Sequence, residues 1–152
     1  MSTPLHTVLE HAQEQRDKAM AELLTGEDQV RKLRLQSQQL SDYQTEYRLR
    51  DPARTGQVLS IDSLQTHRQF MQRLEQASTQ QQTQVRIAQE RAQTLRESVL
   101  ALELRVAAIK KLIEGRQREA QRLDQQLQQR HMDEAANQQA WRKQQAQDGY
   151  GP

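Results

Sequence analysis

Apolar residues recur at heptad spacing along most of the chain, with one interruption. Counted in sevens from Leu9, position a reads Leu9, Arg16, Leu23, Val30, Ser37 and Gln44. Position d reads Leu5, Ala12, Ala19, Gly26, Leu33, Leu40 and Tyr47. The apolar set dominates and keeps its phase for about six heptads, and a 3.5-residue period held that long predicts a coiled-coil helix. Arg16, Gly26, Ser37 and Gln44 weaken the seam, which predicts a first helix of marginal stability. After the interruption, position a reads Leu64, Met71, Ser78, Val85, Ala92, Val99, Val106, Ile113, Ala120, Leu127, Glu134 and Trp141. Position d reads His67, Leu74, Gln81, Ala88, Leu95, Leu102, Ile109, Arg116, Leu123, Arg130 and Asn137. The seam is strongest from Leu95 to Ile113 and decays near Arg130.

Local chemistry predicts the boundaries. Thr3 followed by Pro4 is an N-cap with proline at the first helical position. Pro52 ends the first helix at Asp51, because proline lacks an N–H donor and disfavours helical geometry in the residue before it. Gly56 loosens the connection, and Ser60 with Asp62 close behind restarts a helix. The expected layout is one coiled-coil domain over residues 1–152: helix 1 about 4–50, a turn at 51–60, helix 2 about 61–145 and a flexible tail at 146–152. The fold class is all-α, an antiparallel two-helix coiled-coil hairpin with helix 2 longer than helix 1. Folding about the middle of the turn sets residue i against roughly residue 110 minus i. Leu5 then meets the region of Arg105, and Ile109, Ile113, Ala120, Leu123 and Leu127 form an apolar stripe with no partner in the chain. A parallel homodimer, or a C-terminal segment that frays when free, are the other ways to dispose of that stripe.

Composition agrees with a narrow seam. Only 34% of the 152 residues are hydrophobic and 28% are charged, too few apolar residues for a broad core. There is no Cys, so no disulfide framework and no thiolate site. The N-terminus lacks the basic start and apolar run of a signal peptide, and no segment approaches the roughly 20 apolar residues of a membrane span. A cytoplasmic protein with no direct membrane insertion is expected. The net charge of +2 comes from interspersed signs, which does not suggest a nucleic-acid footprint. Lys110, Lys111, Arg116, Arg118 and Arg122 gather on the unpaired stretch, and a solvated face explains them as readily as an acidic partner. His6, His11, His67 and His131 make no i, i+4 pair, which leaves no metal site in view. His67 reads as a polar seam position. Ser residues lack a nucleophile-elbow context, and the five Gly do not cluster into a phosphate loop. No catalytic residue and no cofactor are expected.

The few rings are unevenly placed. Aromatics are 3% of the chain, yet Tyr43 and Tyr47 stand just before the break and Phe70 just after it. Tyr47 is a d residue, and Tyr43 and Gln36 are g. On helix 2, Phe70 and Ala77 are g, and Leu74 and Gln81 are d. The g edges of an antiparallel pair share a side, so Tyr43 and Phe70 point to one flank above Leu40, Tyr47 and Leu74. The rings either widen a thin core or form a binding patch, since aromatic anchors on a polar surface are the material of hot spots. One residue can do both.

The segments "QLSDYQTEYRLR", "HRQFMQRLEQA" and "HMDEAANQQAW" resemble the flagellar type III export protein FliJ family over nearly the whole chain. The most specific part is the Leu-x-x-Tyr-x-x-x-Tyr spacing before the break with Phe-x-x-x-Leu-x-x-Ala after it. The resemblance implies an antiparallel coiled coil that acts as a stalk-like adaptor and chaperone without chemistry of its own. It implies a place in the ring of the hexameric export ATPase, contact with the cytosolic domain of the export gate membrane protein, and hand-over of export chaperones. It also implies peripheral association with the inner membrane at the flagellar base. Gate-contacting positions carry over to Gln36, Leu40, Tyr43, Tyr47, Phe70, Leu74, Ala77 and Gln81. The ATPase contact carries over as a region around Leu5, Val8, Leu9, Ile109, Ile113, Leu123 and Leu127. No nucleic acid is an expected partner, and the free protein is expected to be a monomer. An injectisome stalk protein and a structural homodimeric rod are the competing readings, and the "DYQTEYRLR" segment favours the flagellar branch.

Overall fold

The structure is a computed structural model that describes residues 4–51 and 60–149. The expected cap at Thr3, the turn residues from Pro52 through Gly56 and the end of the tail lie outside the described residues. Two α-helices make up the fold: α1 spans Pro4–Leu49 and α2 spans Ile61–Asp148, 46 and 88 residues long. No strand occurs among the described residues. The chain is thus an all-α helical hairpin with the longer helix second.

Both helix ends at the tip are built by short-range bonds. At the end of α1 the Arg50 N–H donates to the Glu46 carbonyl at 3.2 Å and the Asp51 N–H to the Arg48 carbonyl at 3.1 Å. At the start of α2 the Ser63 N–H donates to Ser60 Oγ at 3.3 Å. That bond satisfies one of the donors a helix start leaves open. Asp62 adds an acid to the first turn, where the helix dipole favours it.

Contacts divide the chain into two units, His11–Arg105 and Met1–Glu10 with Val106–Pro152. In the first, contacts between the helices run antiparallel. Tyr47 meets Phe70, Gln36 meets Gln81, and Glu27 meets Arg96. Partners on α2 climb as α1 numbers fall. Every described a and d residue of this unit is buried or half-buried. Ala12, Leu23, Val30, Leu74, Ala92 and Val99 are the buried apolar ones. At Gly26 the seam is tight: a Cβ there would stand 3.0 Å from Leu95 Cδ1. Arg16, charged at a seam position, turns its guanidinium to Asp17 at 3.0 Å and leaves its stem along the seam.

The register differs from the expected one. Contacts in this unit centre on residue i facing about residue 118 minus i, one heptad beyond the nearest seam-compatible neighbour of the expected pairing. A slip of seven residues puts every a and d side chain back into an a or d slot. The hydrophobic pattern is therefore blind to it. Residues that differ from heptad to heptad decide instead, above all the rings of Tyr47, His67 and Phe70 and the Glu27–Arg96 ion pair.

In the other unit, Val106 and Ile113 are buried and Ile109 is half-buried, as are Leu5, His6 and Leu9. Leu5 and His6 line a shallow groove of about 210 Å³ with Ile113, Arg116, Gln117 and Ala120. This corrects the expected overhang. Leu5 shares this groove with Ile113, so Ile109 and Ile113 belong to a covered seam. From Glu114 to Gly149 every residue is exposed, Ala120, Leu123 and Leu127 included. The uncovered stripe starts one heptad later than expected, for the same reason that the pairing is one heptad on.

Candidate functional site: the ring cluster at the helix ends

The last three turns of α1 and the first of α2 bring four rings together within the unit His11–Arg105. Tyr43 and Tyr47, four apart, lie one turn above the other on α1, their ring centres 5.6 Å apart. From α2, Phe70 sets its ring 4.4 Å from Tyr47 and 6.4 Å from Tyr43, edge-on to the latter at 70°. Such tilted and edge-to-face pairs are worth about 0.5–1.5 kcal/mol each beyond the area they bury. The fourth ring is His67, stacked on Tyr47 at 5.7 Å with only 15° between planes. Sequence reasoning missed it by reading His67 only as a polar seam residue. In the observed pairing His67 stands opposite Asp51, one turn beyond Tyr47.

Exposure is graded across the cluster. Leu74 is buried and Leu40, Tyr47, Phe70 and Ala77 are half-buried, whereas Tyr43 is 46% exposed. Two turns further along, the Gln81 side-chain amide donates to Gln36 Oε1 at 3.1 Å and to the Leu33 carbonyl at 3.3 Å. Gln81 is thus satisfied across the seam, with Gln36 exposed above it. The eight expected gate positions fall into a ring group and a glutamine group, with Leu40, Leu74 and Ala77 between. None of the eight is charged.

The opposite edge has a different chemistry. There the Arg96 guanidinium donates to Glu27 at 3.2 Å, and Arg34 donates to the side-chain oxygen of Gln89. Near the tip, a groove of about 450 Å³ is lined by Arg48, Asp51, His67, Arg68, Met71 and Gln72. The groups with displaced titrations lie elsewhere. Lys32 and then Arg31, by hydrogen bond and charge, hold the Asp28 carboxyl below its ordinary range. Arg122 does the same to Glu119, and Glu119 in return raises the Arg122 guanidinium. No cluster of metal-ligating residues occurs among the described residues.

The expected ATPase-contact residues are divided. Leu5, Leu9, Ile109 and Ile113 are covered within their unit, whereas Val8, Leu123 and Leu127 are exposed. No helix among the described residues is long and apolar enough to cross a membrane.

A two-helix coiled coil with a cluster of rings set on one edge near the helix ends is the class of protein this geometry defines. The chain belongs to the flagellar FliJ protein family: the family model described as "Flagellar FliJ protein" matches residues 1–145. Neither a curated protein nor a solved structure matched the chain. Membership makes it a flagellar export-related protein, in a family that is a non-catalytic component of that export.

Proposed function

We propose that the chain is a stalk-like adaptor and chaperone of the flagellar export apparatus. It sits in the hexameric export ATPase ring, links that ring to the cytosolic domain of the export gate at the inner membrane, takes part in handing over export chaperones, and so promotes flagellum assembly. Gln36, Leu40, Tyr43, Tyr47, Phe70, Leu74, Ala77 and Gln81 form the gate-binding edge. The region of Leu5, Val8, Leu9, Ile109, Ile113, Leu123 and Leu127 serves the ATPase.

The observation that carries this reading is the exposure gradient of the ring cluster. A ring group built only to thicken the seam has no need to leave Tyr43 46% exposed above Phe70. A partner that covers it removes apolar ring surface from water, worth about 25 cal/mol per Å² before the costs of association. On the ATPase side, Leu123 and Leu127 keep the seam's phase but are about half exposed. Continuation of a paired seam into uncovered helix is the feature a partner helix or cleft accepts.

The test is a binding measurement against both partners. Tyr43→Ala and Phe70→Ala each leave helicity nearly intact and weaken binding to the purified gate domain by more than about 1 kcal/mol. A chain ending at Ile113 keeps its covered seam and loses the ATPase. Wild-type gate affinity in both ring variants removes the edge assignment; undiminished ATPase binding by the truncated chain removes the other.

A further inference from the structure

His67 is the one member of the ring cluster with no part in the gate edge as described. Its side chain is only 13% exposed. The imidazole lies nearly parallel to the Tyr47 ring in an offset stack, and Phe70 packs closely against the same phenol. Its Nε2 also stands 3.9 Å from Asp51 Oδ1, within ion-pair reach. Asp51 in turn is placed by its N–H bond to the Arg48 carbonyl. A ring carried on α2 is therefore anchored to the end of α1 through a carboxylate and through a stack.

Beside it lies the groove that His67 and Met71 help to line. With the imidazole removed, that space opens toward Tyr47. The phenol then gains room to turn away from Phe70, and the lost stacking contact removes the reason to stay. Tyr43 packs on both Tyr47 and Phe70, so its pose depends on the same arrangement.

We propose that His67 is a positioning residue for the docking edge: stacked on Tyr47 and tethered to Asp51, it holds the phenol against Phe70 in the pose that a partner meets. The proposal rests on the gate-edge reading above for its partner, but not for its geometry. It makes the edge larger than its contact residues, since a side chain facing the other flank sets the pose of the rings.

The test uses the full chain with three variants: His67→Ala, His67→Phe and Phe70→Ala. Ring resonances of Tyr47 are followed in the free protein by NMR, assigned with Tyr47→Phe, and affinity for the purified gate domain is measured alongside. Helicity by circular dichroism checks that each variant folds. His67→Ala is expected to shift the Tyr47 resonances and to weaken gate binding at least about fivefold. His67→Phe keeps a ring on Tyr47 without the tether and is expected to return affinity to within about twofold. Unmoved Tyr47 resonances in His67→Ala overturn the positioning, whatever the affinities. Wild-type affinity in His67→Ala together with a loss in Phe70→Ala overturns it while leaving the gate edge standing. Failure of His67→Phe to rescue overturns the stack as its basis. Wild-type affinity in Phe70→Ala shows instead that the gate-edge reading is wrong, and the resonances then decide the positioning alone.

Discussion

Residues 11–105 and residues 114–149 are written in the same heptad language and have opposite fates. In the first stretch every described a and d residue is at least half covered; in the second every residue is exposed. A Cβ on Gly26, a d residue, would press on Leu95, while Gly115 lies off the seam and a Cβ there would meet nothing within 4 Å. A seam residue thus stabilises the fold only where the chain supplies something to face it. Helix without such cover rests on propensity and on neighbouring side-chain pairs, such as Arg122 with Glu119 at 2.7 Å and Arg118 with Glu114 at 3.9 Å. Solvent screens each of these exposed pairs, so they contribute little to stability.

The sharpest way to break the comparison is to put a charge in each seam. Val99→Asp buries a carboxylate with no partner in the paired stretch and is expected to cost about 3 kcal/mol or more in urea unfolding. Leu127→Asp, at the same kind of heptad position but in water, is expected to stay within about 0.5 kcal/mol of wild type. Equal losses at the two sites would mean that residues 114–149 find cover in the free protein.

A smaller effect separates the glycines. Gly115→Ala is expected to add up to about 1 kcal/mol of helix propensity locally, read as slower amide exchange in the neighbouring turns. At Gly26 the same gain is offset by the need to move Leu95, so a smaller or no rise in global stability is expected. A larger gain at Gly26 than at Gly115 would show that the close approach there is not tight.

The smallest effect concerns acid. Asp28 has a depressed carboxyl, so its contribution is present above the ordinary aspartate range and is lost as pH falls through the lower folded-state value. Lys32 is the main cause and Arg31 the second. Asp28→Asn is therefore expected to lower the neutral side of the thermal-stability profile slightly and to converge with wild type in acid, which makes its acid side shallower. For Glu119 the sign is the same, with Arg122 as the cause. Its effect should show only in local exchange, because no seam residue in that stretch is covered. A profile in Asp28→Asn as steep as wild type would show that the carboxylate carries no measurable part of acid stability.

Much of this was legible in the residues. The heptads named the a and d positions that are covered from Leu5 to Tyr47 and from Leu64 to Ile113, and the family resemblance agrees with the matching family model. Ser60 as a helix start was readable from its type and place, and its bond to the Ser63 N–H has that form. The pairing distance was not readable, because a seven-residue slip leaves the apolar code unchanged. The His67 stack was missed because a heptad position states that a side chain enters the seam and not which ring it will lie against. Of the acids and bases four apart, Glu114 and Arg118 pair as their spacing suggests, but Glu27 turns to Arg96 on the other helix. Local spacing cannot anticipate a competitor 69 residues away.

The rings that Tyr47, His67 and Phe70 contribute work as a vernier between the two helices. Sliding one helix by a single heptad, about 10.5 Å, would leave the apolar stripes matched but pull these marks out of coincidence. Whatever grips the aromatic edge therefore grips one alignment alone, and reads helix position along with surface chemistry.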